Sequence, residues 1–169
     1  MQTIYLAGGC FWGLQKFMDQ FKGIEETEVG YANGPEGESK LRTGPTYEEV
    51  CNSSGHAETV RVDFDEEVIS IDEILKKYFM VIDPSSINKQ GNDVGVQYRT
   101  GIYYSEEGHI WGISRAVTGI KKDLEAEGKP FNVEIKALEN YYPAEEYHQK
   151  YLDKNPGGYC HIPSSMMNL

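Results

Sequence analysis

The sequence predicts an α+β fold, a ferredoxin-like plait in which helices pack on one mostly antiparallel sheet as a two-layer sandwich. Two observations predict it. Apolar residues recur at alternating and then at three- and four-residue spacing, in the order strand, helix, strand, strand, helix, strand. Turn and cap residues separate those segments, and an extra C-terminal helix, strand and irregular tail follow them.

Gln2 to Leu6 suit a short strand, which Gly8-Gly9 breaks. A helix starts at about Cys10, because Phe11, Leu14, Phe17, Met18 and Phe21 form one stripe that ends near Gly23. Glu25 to Tyr31 read as a second strand and Ala32 to Thr46, rich in Gly, Pro and charge, as a long loop. Val60, Val62 and Phe64 alternate with Arg61 and Asp63 as a half-buried strand. Ser70 and Glu73 make a capping box for a helix carrying Ile74, Leu75, Tyr78, Phe79 and Ile82 on one face, stopped by Pro84.

Ser85 to Gln97 read as a second irregular stretch, and Tyr98 to Tyr104 as a strand. Ser105 is expected to cap the next helix, with Ile110, Ile113, Val117, Ile120 and Leu124 inward and Gly128-Lys129-Pro130 at its end. Val133, Ile135 and Ala137 alternate as a strand. From Pro143 the chain has a short helical piece and then a tail around Asn155-Pro156-Gly157-Gly158 that is expected to be mobile. The two long loops invite a functional role, as unstructured stretches of that length in a compact domain commonly do.

At 169 residues the chain predicts one domain, 1–169, with 154–169 as its tail. A net charge of −11 opposes binding to nucleic acid or an anionic bilayer. The N-terminus lacks an export signal and no run approaches the length of a membrane span, so a cytoplasmic address and a monomer are the expectations. Three cysteines, Cys10, Cys51 and Cys160, match no CxxC or zinc-ligand spacing; they read as thiols, and no metal is expected.

Cys10 stands at the first turn of a helix, where free amides and the macrodipole favour a thiolate; a buried structural thiol is the other reading. Trp12 lies off the apolar stripe, so with Phe11 it suits an apolar wall beside the sulfur, or a partly covered surface tryptophan. Taken alone, Glu58 reads as a solvated strand-edge acid, Tyr47 and Tyr98 as packing, and Asp93 as a turn residue. A cysteine hydrolase using His56 or His148, and a peptide-binding module, remain as rivals at this level.

Six blocks in order carry a resemblance: Gly9-Cys10-Phe11-Trp12-Gly13; Gly30 to Gly34; Pro45 to Cys51; Gly55-His56-Ala57-Glu58; Gln90 to Asp93 with Gln97-Tyr98-Arg99; and Asn155 to Cys160. Together they are similar to peptide methionine sulfoxide reductase A over nearly the whole chain. The resemblance implies that Cys10 attacks the sulfoxide sulfur, Glu58 protonates or hydrogen-bonds its oxygen, and Tyr47 and Tyr98 hold that oxygen. It implies that Phe11 and Trp12 grip the substrate methyl, that Asp93 orients substrate, and that Tyr159 lines the cleft, as His148 and Tyr151 also could.

Cys10 would be left as a sulfenic acid, captured by Cys160 as a disulfide that thioredoxin, or dithiothreitol in its place, reduces; no cofactor is implied. Implied substrates are methionine S-sulfoxide, free or in oxidised proteins and peptides. Three departures stand out: Gly44 and Ile82 occupy positions where Asn and His are common, and no further cysteine follows Cys160. Cys51 reads as structural.

Overall fold

The computed structural model describes residues 1–35 and 44–169, so part of the expected Ala32–Thr46 loop lies outside the described residues. Eight strands and five α-helices follow in the order β1 (Gln2–Ala7), α1 (Phe11–Asp19), β2 (Ile24–Ala32), α2 (Tyr47–Cys51), β3 (Ala57–Phe64), α3 (Ile71–Val81), β4 (Lys89–Gln90) and β5 (Asp93–Val94) among the described residues. Then come β6 (Gly101–Tyr104), α4 (His109–Ala126), β7 (Glu134–Ala137), β8 (Tyr141–Pro143) and α5 (Tyr151–Lys154). The main sheet runs β7-β6-β1-β3-β2-β8, and its central four strands, all antiparallel, are the expected plait. β7 extends it parallel to β6, and β8 antiparallel to β2.

Alternation decides the two faces of this sheet. Ile4, Leu6, Val60, Val62, Phe64, Val29, Tyr31 and Ile102 pack with Phe11, Leu14, Phe17 and Met18 of α1 and with Ile74, Leu75 and Tyr78 of α3 in one buried core. The other face is thinner: Ala7, Ala32, Ala57 and Tyr103 are covered by Tyr5, Leu138 and Tyr141. Glu58 has the parity of Val60 and Val62, and so points to the helix side, where α1 begins.

Register then sets what surrounds Cys10. Ala7, the last residue of β1, pairs with Thr59 on one side and Gly101 on the other. The chain leaving β1 through Gly8-Gly9 therefore passes between Glu58 and the turn before β6, and the Gly9 N–H donates to the Tyr98 carbonyl at 3.2 Å. Gly9 takes φ +76°, where a side chain would be strained and would also strike His161 and Gln90.

Several expectations need correction. Ser105 does not cap α4: a turn through Glu106 and Glu107 intervenes, and the helix starts at His109 with Gly108 before it and no side-chain cap. Its buried stripe is His109, Gly112, Ile113, Val117 and Leu124, with Ile110 exposed, because Gly112 lets the helix close against Ile71. Tyr98 is not in a strand; it ends a 3-10 turn, Val96–Tyr98, and β6 begins at Gly101. The stretch before it contains the β4–β5 hairpin, turned at Gly91 with φ +59°.

Two elements were absent from the sequence reading. α2 opens with a capping box of Thr46 and Glu49, and β8 pairs with the end of β2. The segment after α5 lies along α1: Ile162 is buried, Gln20 Nε2 donates to the Met166 carbonyl at 2.8 Å, and the Leu169 amide donates to Gln20 Oε1 at 2.7 Å.

Candidate active site

Cys10 is the residue immediately before α1, in extended backbone, with its side chain 7% exposed. The Trp12 backbone N–H favours its thiolate, as the helix position predicts, but burial and the neighbouring Glu58 carboxyl outweigh that amide and push the thiol well above its ordinary range. The expected helix-terminus activation is therefore present but outweighed.

Glu58 is 1% exposed, and burial, with Asp93 adding to it, pushes its carboxyl up to about 8 despite a bond from the Phe11 amide. That N–H donates to Oε1 at 3.2 Å, whereas Oε2 is buried with no partner among the described residues. A carboxyl in this setting carries a proton at neutral pH and has one oxygen left to donate it. It is no solvated strand-edge acid, because the sheet face it occupies is roofed by α1.

Phe11 packs against Tyr31 and His148, with ring centroids 5.7 Å and 5.2 Å apart. Trp12 is off the stripe because it stacks on Tyr151, centroids 3.7 Å apart and nearly parallel, and its Nε1–H donates to His148 Nδ1 at 2.9 Å. His148 is thus held as an acceptor at Nδ1, and burial lowers its pKa despite Glu145. Its ring also lies 4.5 Å from that of Tyr47 and 4.0 Å from that of Tyr147. The resemblance offers His148 as a cleft residue, but nothing periodic in its irregular segment predicts that it joins Phe11, Trp12 and Tyr47.

Tyr47 begins α2, and its amide donates to Glu145 Oε2 at 2.9 Å, while Tyr31 Oη donates to Glu145 Oε1 at 2.8 Å. Burial raises Glu145, but these donors more than offset it and hold the carboxyl below its usual range. The Tyr47 hydroxyl engages the Cys51 side chain one turn on; burial, Cys51 and Glu58 together raise its pKa. Tyr98 is raised too, by burial and then by Glu58, Asp93 and Cys10, so both phenols remain donors. Arg99 braces this rim: it bonds Glu134 at 2.7 Å, the Gly55 and Val96 carbonyls at 3.0 Å, and the Asn33 carbonyl at 3.1 Å.

Asp93, in β5, meets the far end of the chain. The Tyr159 hydroxyl bonds to it; burial and this acid push that phenol up to about 12. Cys160 packs its Sγ over Gly13, where a Cβ would come within 2.9 Å of it, and its thiol donates to the Ile162 carbonyl at 3.4 Å. Cys10 and Cys160 are both free thiols, and Cys160 borders a groove of about 540 Å³ lined by Leu152, Pro156, Ile162 and Met167. Cys51 is exposed at the end of α2. The structure brings Cys10, Phe11, Glu58, Tyr47, Tyr98, Asp93 and Cys160 into one region; Tyr159 is half-exposed at its edge.

The rival histidines are occupied elsewhere, since His56 Nδ1 sits 2.9 Å from Ser54 Oγ and His148 Nδ1 takes the Trp12 indole. Among the described residues no group of three or more His, Cys, Asp or Glu is placed to hold a metal, and no helix is long and apolar enough to cross a membrane.

A family model described as peptide methionine sulfoxide reductase matches residues 2–168. The chain belongs to that family. It is 50% identical over 162 residues to a peptide methionine sulfoxide reductase MsrA of Lachnoclostridium phytofermentans, covering 95% of this chain and 92% of that one. It is 52% identical over 164 residues to the MsrA of Clostridium perfringens strain SM101, covering 96% and 98%. Among solved structures it resembles Mxr1 of Saccharomyces cerevisiae in reduced form, with TM-score 0.88, 33% identity and 96% and 91% of the two chains covered. It also resembles methionine sulfoxide reductase A of Corynebacterium diphtheriae, with TM-score 0.83, 35% identity and coverage of 96% and 83%. The enzyme is thus an oxidoreductase of the A type that reduces methionine sulfoxide.

Proposed function

We propose that the enzyme reduces the S epimer of methionine sulfoxide, free or in proteins and peptides, with Cys10 as nucleophile and Glu58 as acid. The observation that carries this is the buried Glu58 carboxyl beside Cys10, protonated near neutral pH and with Oε2 unpartnered. A sulfoxide oxygen leaves sulfur only when it is protonated, and Oε2 is the donor that would meet it. Tyr47 and Tyr98, both kept as phenols, add donors for the same oxygen. Phe11 and Trp12, fixed by His148 and Tyr151, form the wall for the methyl group, and Asp93 orients substrate with Tyr159 at the edge.

The proton count closes within the site. Glu58 gives its proton to the oxygen as Cys10 attacks sulfur; the thiol proton ends on Glu58, and the hydroxyl ends on Cys10. The products are Cys10 sulfenic acid and methionine, with Glu58 restored. Cys160 then captures the sulfenic acid as a Cys10–Cys160 disulfide and releases water. A thioredoxin-type dithiol protein reduces that disulfide, and no prosthetic group takes part. Mxr1 has been crystallised in complex with Trx2, which supports a reductant of this kind for a protein of the same fold. The domain 1–169 acts as one catalytic unit whose segment 154–169 brings Cys160 to Cys10.

The test is direct. A peptide carrying methionine S-sulfoxide, incubated with the protein and dithiothreitol, is expected to be reduced by the wild type and left intact by Cys10→Ser. No turnover by the wild type, or full turnover by that variant, would end the proposal.

A further inference from the structure

His161 follows Cys160 directly, and its side chain is only 4% exposed. The polar groups its ring meets are the Gly8 backbone and Asp93 Oδ2, the latter 3.7 Å from Nδ1, and neither contact reaches close hydrogen-bond geometry. A neutral imidazole has one N–H and one lone pair, and here both are only loosely met. Asp93 Oδ2 is buried as well. A buried imidazole and carboxylate so loosely paired, directly beside Cys160, point to a task in the cycle.

The ring lies across the start of α1. A Cβ added to Gly9 would meet Nε2 at 2.8 Å and Cε1 at 2.9 Å. One added to Gly13 would meet Cys160 Sγ at 2.9 Å and His161 Nδ1 at 3.4 Å. The imidazole therefore spans the two glycines on either side of Cys10 in sequence and shares the space over Gly13 with the Cys160 sulfur. Side chains at either glycine would expel it.

Capture of a sulfenic acid needs a group that takes one proton and gives one. Burial raises the Cys160 thiol, so it needs an acceptor as it attacks, and the hydroxide leaving Cys10 needs a donor. Imidazole does both near neutral pH.

We propose that His161 is the proton carrier of the resolving step, with Asp93 steadying its transient imidazolium. The inference rests on the assignment of Cys160 as the resolving thiol made above. The Cys160 S–H bond breaks and its proton moves to the imidazole. The Cys160 thiolate attacks the Cys10 sulfur, the S–S bond forms, and the Cys10 S–O bond breaks. The leaving hydroxide takes the proton back from the imidazolium and departs as water. Cys160 sulfur is oxidised, Cys10 sulfur is reduced by the same electron pair, and His161 ends as it began.

The groups facing the ring are Asp93, the Gly8 carbonyl, Cys160 and, through Asp93, Tyr159; burial lowers the His161 pKa while Asp93 and Gly8 raise it. The sign for the rate follows from the neutral form being the base. Resolution slows as pH falls through the His161 pKa, and this acid limb belongs to the histidine.

The experiment uses the full chain in single turnover, with a methionine S-sulfoxide peptide and no reductant, reading methionine release and disulfide formation separately across pH. In His161→Gln, methionine release is expected within about twofold of wild type, while disulfide formation slows by about 10²-fold and loses its acid limb. Added imidazole is expected to restore part of the rate in His161→Ala. Disulfide formation at the wild-type rate in both variants overturns the inference, and so does equal slowing of both steps, which marks a structural role. A parallel Cys160→Ser sample separates the two levels: a Cys10 disulfide still formed there at the wild-type rate would remove the resolving role of Cys160, and His161 with it.

Discussion

Glu58 comes from the second strand position of β3, inside a six-stranded sheet, whereas Cys160 comes from irregular chain beyond the last α-helix. Both belong to the surroundings of Cys10. Glu58 pairs with Tyr31 on one side, while its neighbour Thr59 pairs with Ala7 on the other, and its environment is part of the core. Cys160 is held by its neighbours Tyr159, His161 and Ile162, through one hydroxyl, one ring in a tight gap and one buried side chain. The proposed acid stands on backbone inside the sheet. The proposed resolving thiol stands on a segment whose ordering depends on a few local contacts.

Substitutions can break that division, and the largest effect is expected in the C-terminal segment. Cys160→Ser is expected to keep one methionine released per enzyme while abolishing thioredoxin-supported cycling. Undiminished cycling would mean that Cys51, or no internal thiol, does the work. In the sheet, Glu58→Gln is expected to slow methionine release by about 10²- to 10⁴-fold while Cys10 still reacts with an alkylating agent. A variant that loses both reactivities would instead have lost the site's structure.

The same carboxyl makes a pH prediction. In the proposed reaction its proton is required, so methionine release should fall as pH rises through about 8. Stability follows the same sense: a carboxyl with a raised native pKa binds more protons folded than unfolded, so the fold weakens as pH climbs from about 4.5 to about 8. Thermal melts of Glu58→Gln should show a shallower decline across that window. An equal decline would place the pH dependence on other groups.

Smaller effects test the supports. His148→Phe keeps a ring against Phe11 and Tyr47 but removes the acceptor for the Trp12 indole. A loss of roughly 1 kcal/mol of positioning should appear as a several-fold rise in KM with little change in kcat. Thr46→Ala removes one half of the α2 capping box and should cost about 1 kcal/mol in chemical denaturation, with a modest loss of Tyr47's contribution to rate.

Legibility in the sequence followed the same division. The plait strands and α1 and α3 carry apolar periodicity because each buries one face over several turns or residues, and these elements were readable with their caps. Register, and so the meeting of Glu58 with Cys10, was implicit in that pattern, but the burial of Glu58 was not, since a lone acid at a strand end looks solvated. Tyr98 reads as the start of the strand that carries Ile102, Tyr103 and Tyr104, yet bonds from Tyr98 to Gly95 and from Arg99 to Val96 make a turn of it. His148, Glu145 and Arg99 act through long-range bonds from irregular chain, which leaves no local period to read. The thiol's position was clear; its high resting pKa was not, because it comes from burial and from a residue 48 positions away in sequence.

The raised thiol also bears on how Cys10 meets oxidants. Burial and the Glu58 carboxyl hold the Cys10 thiol above its ordinary range and so disfavour the thiolate, the form that hydrogen peroxide and electrophiles attack. In the proposed reaction a sulfoxide that takes the Glu58 proton leaves a carboxylate to receive that of Cys10. On that reading the buried pair would act as a safety catch, sparing the cysteine from bulk oxidants and reserving its oxidation for the sulfoxide.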